Sequence, residues 1–124
     1  MAQGAPKGNQ FWKLRSSHGT QPFFATPDDL WQAACEYFEW ADENPLYEDR
    51  VFSTKDDGIL HEAVAKMRAM TQSGMLLFID ISQRSWMDYT KRPGYDLVCE
   101  KIMEVIRSQK FAGAAAGLLN PVII

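Results

Sequence analysis

Thr71-Gln72-Ser73-Gly74-Met75-Leu76-Leu77-Phe78-Ile79-Asp80-Ile81-Ser82-Gln83-Arg84-Ser85-Trp86-Met87-Asp88-Tyr89-Thr90-Lys91 is the stretch that decides the fold. Two short helices that meet at a steep angle share a small core, so apolar residues must recur at set offsets across the turn. Thr71 suits the cap of a first helix, with Met75 and Ile79 on its inner face. Ile81 plugs the turn and Ser82 caps a second helix. Trp86 and Tyr89 follow five and eight residues after Ile81, the offsets that point them inward. Every apolar position such a pair requires is filled, and the pattern predicts a helix-turn-helix over 71–91. Two residues depart from the usual pattern. Leu76 stands where a small residue usually allows close packing, and Asp80 stands where glycine is common, although aspartate tolerates a left-handed backbone better than most residues. The plainer alternative is a helical hairpin that only packs in a core.

If Ile81, Trp86 and Tyr89 face in, then Gln83, Arg84, Met87, Asp88 and Lys91 face out, with Ser82 and Ser85 at the N-terminal edge. That set has the chemistry of a major-groove reading head. Arg84 has the fork to donate twice to guanine O6 and N7, and Gln83 has the amide to pair with adenine. Lys91, Arg92, Lys66 and Arg68 are better cast as phosphate contacts, which fix position and carry no sequence information.

On the N-terminal side, Thr26-Pro27-Asp28-Asp29 opens a helix. Threonine caps, proline fits the first helical position, and the two acids sit at the positive end of the dipole. Leu30, Trp31, Ala34, Tyr37, Phe38 and Ala41 then recur at three- and four-residue spacings until Asn44-Pro45 ends the helix. Asp56-Asp57-Gly58 is a turn signal between Val51-Phe52 and Ile59-Leu60, which predicts a small β-hairpin of 47–53 and 59–65. A helix over 59–68 is the competing reading, because Leu60, Val64 and Met67 are helically spaced. Residues 1–10, rich in Gly, Gln, Asn and Pro, read as disordered, with Phe11 and Trp12 docking on the body. On the C-terminal side, Pro93-Gly94 breaks the chain. A long helix begins near Asp96, with Leu97, Val98, Ile102, Val105, Ile106 and Gln109 on or near one face, and Asn120-Pro121 stops it. Small residues from Ala112 to Gly117 would let another helix approach. The apolar end Val122-Ile123-Ile124 points to truncation of a longer protein.

The expected class is therefore mainly α: a helix-turn-helix DNA-binding domain with a small β-hairpin and a long C-terminal helix. The organisation expected is an arm at 1–25, a helical DNA-binding domain at 26–92, and a helix for packing and oligomerisation at 93–124. Its 124 residues suffice for one modest core. The apolar share of 46% and charged share of 23% are those of a soluble globular protein. Net charge is −3, but it is segregated: residues 1–27 carry +3, 28–62 carry −9, 63–92 carry +3, and 93–124 balance. Two basic segments flanking an acidic one suit a protein that meets a polyanion on one side only.

Other chemistries find little support. Cys35 and Cys99 are far apart and lack metal-ligand spacing, which suits a reduced, cytosolic setting. His18 and His61 are the only histidines, and no cysteine or carboxylate cluster accompanies them, so no metal and no cofactor is expected. His61 reads as an exposed hairpin or helix residue. Gly113 and Gly117 are not followed by the lysine and hydroxyl residue of a phosphate loop. The acids Asp42, Glu43, Glu48, Asp49, Asp56 and Asp57 read as a solvated face. Trp31, Tyr37, Phe38 and Trp40 read as core or a contact between copies. No nucleophile, base and oxyanion hole assemble, so catalysis is not expected. No apolar run approaches the roughly 18 residues of a membrane span, and the first ten residues are no signal peptide.

Four groups of residues taken in order carry a resemblance. They are Phe11-Trp12 with Arg15-Ser16 and His18-Gly19; Leu30-Trp31 with Glu36-Tyr37-Phe38-Glu39-Trp40 and Asn44-Pro45; Lys66-Met67-Arg68 leading to Thr71; and Lys110-Phe111 with Gly113-Ala114-Ala115 and Asn120. From about residue 9 to the end, the chain resembles the small terminase subunits, or DNA-packaging proteins, of tailed bacteriophages and prophages. It departs from them at Ala65 and Ala69, where members often carry proline, and members continue past the position of Ile124. The resemblance implies a protein of the host cytoplasm that recognises the packaging site on double-stranded viral DNA. It also implies recruitment of the large subunit that holds the ATPase and nuclease, and assembly of copies into a ring. The ring contacts would map onto the long helix, at Val98, Ile102, Val105, Ile106, Ala112 and Ala116. A helix-turn-helix transcriptional regulator, dimeric on a palindromic site, is the nearest rival reading. A protein-interaction adaptor that does not bind DNA is the other.

Overall fold

A computed structural model of the chain describes residues 23–56 and 58–124. Its elements run α1 (Pro27–Glu43), β1 (Leu46–Thr54), β2 (Gly58–Lys66), α2 (Gln72–Ile79), α3 (Gln83–Lys91) and α4 (Tyr95–Ala115). Among the described residues the chain is mainly α with one antiparallel hairpin, as the sequence predicts. The expected docking of Phe11 and Trp12, and most of the arm at 1–25, lie outside the described residues, as does Asp57 in the hairpin turn.

The first helix begins as its sequence requires. Thr26 is extended, its hydroxyl accepts from the Asp29 amide at 3.1 Å, and the Asp29 carboxylate accepts from the Thr26 amide at 3.2 Å. This reciprocal box satisfies two amides that the first helical turn would otherwise leave unpaired. At the other end the Asn44 side-chain amide donates to the Trp40 carbonyl at 2.9 Å. Leu30, Ala34, Tyr37, Trp40 and Ala41 are buried, while Glu36, Glu39, Asp42 and Glu43 face solvent.

The hairpin pairs Leu46 with Lys66 through to Thr54 with Gly58, one residue longer at each end than the sequence predicts. Gly58 has φ +76°, which glycine adopts without strain and which lets the turn close. The competing helix over 59–68 does not form. Both faces of the hairpin are exposed, Tyr47, Val51, Phe52, Ile59 and Leu60 among them. Its own surface pairs are Glu48 with Lys66 at 3.3 Å and with Arg50 at 3.5 Å, and Asp49 with His61 at 3.3 Å. The hairpin's foot is tied by Arg68, whose Nε donates to the Asn44 carbonyl at 2.7 Å and whose guanidinium lies 4.7 Å from the Trp40 ring centre. One side chain thereby joins the two legs of the hairpin to the first helix. The Gln109 side chain reinforces the exit leg, donating to the Arg68 carbonyl at 3.0 Å and accepting from the Met70 amide at 3.1 Å.

All four helices contribute to one core, centred on the fully buried Leu30, Met75, Ile79, Trp86, Ile102 and Ile106. The fourth helix differs from expectation in three ways. It starts at Tyr95 and ends at Ala115, not 119, because Gly117 turns left-handed at φ +76° and the Leu118 amide donates back to the Gly113 carbonyl at 2.8 Å. That glycine closure satisfies the last carbonyls before Asn120-Pro121 is reached. Leu97, expected on or near the apolar face, is 68% exposed. Ile102 and Ile106, expected at contacts between copies, are 0% exposed inside the chain's own core and present nothing to a neighbour. Of the other residues expected there, Val98 and Val105 are half-buried and Ala112 and Ala116 are exposed.

Candidate nucleic-acid interface

The helices α2 and α3 and the residues between them form a closely specified local arrangement. Thr71 is extended and its hydroxyl accepts from the Gly74 amide at 2.9 Å. Its own amide donates to the Tyr37 hydroxyl at 3.0 Å, which ties the start of α2 to α1. Burial raises the Tyr37 pKa above the usual phenol value, against the pull of that hydrogen bond, so the ring is a neutral acceptor at neutral pH. The close approach of α2 to α1 falls at Gly74, where a Cβ would meet the Tyr37 hydroxyl at 2.8 Å. Leu76, which stands where a small residue is usual, is buried.

The turn is made by Asp80, at φ 61° and ψ 49°. Its amide and that of Ile81, at 3.1 Å, both donate to the Leu76 carbonyl. Ser82 then caps α3, its hydroxyl accepting from the Ser85 amide at 3.0 Å. Ile81, Trp86 and Tyr89 are buried. Their burial aims Gln83, Arg84, Met87, Asp88 and Lys91 outward, and all five are exposed. Ser82 and Ser85 are half-buried at the N-terminal edge, where their hydroxyls meet at 3.2 Å. The far end of α3 is held through its inner face. The Phe24 amide donates to the Tyr89 hydroxyl at 3.1 Å, and the Tyr95 hydroxyl donates to the Phe24 carbonyl at 2.7 Å. Arg92 follows the helix with its guanidinium about equidistant from the Tyr89 and Tyr95 rings, at 5.1 and 5.3 Å. Two aromatic faces thus hold a cation next to Lys91.

The structure brings together eight of the ten residues expected to meet DNA, on α3 or at its ends. The other two lie on the exit leg of the hairpin. Lys66 is half-buried beside Glu48. Arg68 is 9% exposed, with burial lowering its pKa, and its hydrogen bond and ring contact are internal. A guanidinium so placed fixes the hairpin foot. Sequence reading missed one neighbour of the site: the Gln72 side-chain amide donates to the Gln83 side-chain oxygen at 3.1 Å. The available signal was positional, since each glutamine is the first residue of its helix.

An open groove of about 620 Å³ runs beside this unit, lined by Trp86, Thr90, Asp96, Cys99, Glu100 and Arg107 among others. Burial pushes the Cys99 thiol up to about 11, so at neutral pH it is a protonated thiol and a poor nucleophile. Among the described residues no three His, Cys, Asp or Glu side chains are grouped to hold a metal ion. No helix there is long and apolar enough to cross a membrane.

Two comparisons bear on this arrangement. The family described as DNA-packaging protein gp3 matches residues 19–124. The chain is also similar to the terminase small subunit of Salmonella phage P22, with 51% identity over 120 residues that cover 97% of this chain and 74% of that protein.

Proposed function

The chain belongs to the DNA-packaging protein gp3 family, the small terminase subunits, and on that premise we propose that α2 and α3 form a helix-turn-helix whose second helix reads the packaging site on phage DNA. The observation that carries this reading is the division of α3 into a buried side of Trp86 and Tyr89 and an exposed side of Gln83, Arg84, Met87, Asp88 and Lys91. Gln83 and Arg84 sit at the N-terminal end of α3, the end that reaches base edges in this mode of docking. Arg84 supplies a two-pronged donor for guanine and Gln83 an amide for adenine. Met87 offers an apolar contact, Asp88 an acceptor, and Ser82 and Ser85 flank the groove edge. Lys91 and Arg92, with Lys66 on the hairpin, neutralise phosphates. Arg68 leaves the contact set and becomes the residue that positions the hairpin.

In this reading the protein is not an enzyme. It works in the host cytoplasm, marks viral DNA, and presents it to the large subunit that holds ATPase and nuclease activity. Residues 26–92 form the recognition part, and 93–124 add a surface for packing against other copies. That surface uses the outer side of α4, where Leu97 and Phe111 are 68% and 73% exposed beside Ala112 and Ala116. Val98 and Val105 flank it. A ring of copies multiplies weak individual contacts through effective concentration, so one head need not bind tightly.

The test is fluorescence anisotropy on duplexes tiled across the genome of the source phage, at fixed near-physiological salt. Native protein is run beside a Gln83→Ala/Arg84→Ala double variant. A fragment preferred by the native chain and lost in the variant is expected. Equal, weak binding of every fragment by both proteins would overturn the reading.

A further inference from the structure

Gln83 does not stand alone at the head of α3. Gln72 is the first residue of α2 and Gln83 the first residue of α3, and their side-chain amides meet at 3.1 Å with Gln72 Nε2 donating to Gln83 Oε1. Both are held from beneath by capped helix starts. Thr71 closes over the Gly74 amide at 2.9 Å, and Ser82 over the Ser85 amide at 3.0 Å. The Thr71 amide is fixed in turn by Tyr37 at 3.0 Å. The bond between the glutamines thus spans two anchored backbones, with the left-handed Asp80 turn setting the distance between them.

A carboxamide oxygen has two lone pairs and its nitrogen two hydrogens. Gln72 occupies one lone pair of Gln83. The second lone pair and both Nε2 hydrogens remain, which is the set that pairs in two places with adenine, accepting from N6–H and donating to N7. A free glutamine side chain samples many rotamers and loses that freedom on binding, at a cost per immobilised side chain. A glutamine whose amide is already held by a neighbour has lost part of that freedom beforehand. We infer that Gln72 is a positioning residue for base recognition: it orients the Gln83 amide for adenine in the major groove. Gln72 need not touch a base to set the preference at one base pair. This inference rests on the assignment of α3 as the reading helix.

The test is selection of binding sites from randomised duplex DNA by the full chain, with sequencing of what is retained. Native protein, Gln72→Ala, Gln83→Ala and the double variant are compared. Gln72 and Gln83 hydrogen-bond at the surface, and equal thermal midpoints across the four proteins establish that folding is unchanged. Native protein is expected to yield a motif with one A·T position that both single variants relax. On the preferred site each single variant binds roughly tenfold more weakly. The double variant binds no more weakly than Gln83→Ala alone, because the two residues act as a unit. A Gln72→Ala motif identical to the native one, beside a Gln83→Ala motif that has lost the position, overturns the inference and leaves the reading helix standing. A native protein that selects no motif overturns both.

Discussion

Arg68→Ala separates a positioning role from a DNA contact. The native side chain donates to the Asn44 carbonyl at 2.7 Å and stacks 4.7 Å from the Trp40 ring centre, at 9% exposure. Hydrogen bonds to charged groups contribute about 1.5–3 kcal/mol, and a partly desolvated cation–π contact adds about 0.5–2 kcal/mol. Truncation removes both and leaves the Asn44 carbonyl without its guanidinium donor, so a loss of about 2–5 kcal/mol is expected. That is a large part of the roughly 5–15 kcal/mol that holds a domain of this size folded. It corresponds to a fall in melting midpoint of roughly 10 °C. The assay is urea and thermal unfolding followed by circular dichroism and by tryptophan fluorescence. DNA binding is measured alongside, as the logarithm of affinity against the logarithm of salt concentration. Arg68→Ala should leave that slope unchanged at temperatures where the variant is folded. An unaltered unfolding midpoint together with a slope shallower by about one would show a lost phosphate contact, and would refute the structural role.

Lys91→Ala should behave in the opposite way, reducing the salt slope by about one while stability stays within about 0.5 kcal/mol. Ile106→Ala should cost about 2–5 kcal/mol, as a fully buried truncation does; the drop in unfolding midpoint should be the same at low and high protein concentration, since the side chain serves the chain's own core. Asp80→Gly should raise stability by about 0.5–1 kcal/mol, because glycine adopts φ 61° without the steric cost borne by an L-residue. Cys99 is held protonated in the folded chain, with a pKa raised from 9.0 to about 11. Its contribution is therefore complete below pH 9 and is lost as pH rises toward 11, where the unfolded state releases the proton first. The fall in stability measured across that window should be shallower in Cys99→Ala.

Much of the fold is legible in the sequence because the deciding signals are local. The Thr26 to Asp29 box, the Asp56-Asp57-Gly58 turn and the Thr71 and Ser82 caps each specify a backbone within a few residues. The offsets from Ile81 to Trp86 and Tyr89 are read as easily, since one helical turn fixes which side chains point in. What the sequence hides depends on contacts between distant segments. Nothing near Arg68 shows that Asn44 and Trp40 will receive it, so a buried arginine looks like a surface cation. Leu97, Ile102 and Ile106 share an apolar spacing, and only the packing of α4 against α1 and α3 decides that the isoleucines turn in and the leucine out. The Gln72–Gln83 contact depends on the angle between two helices, which the sequence sets through Asp80 and Ile81 but does not display. Gly117 announces itself as a helix terminator only once its left-handed backbone is seen.

On the proposed reading, the exposed side of α3 meets DNA. A photo-crosslinking benzophenone side chain placed in turn at Met87 on α3 and at Phe52 on the hairpin tests it directly, because both positions are exposed. After irradiation with the preferred duplex, position 87 should crosslink to bases within the preferred site and position 52 should not. Crosslinks from position 52 with none from position 87 would contradict the claim and move the interface to the hairpin.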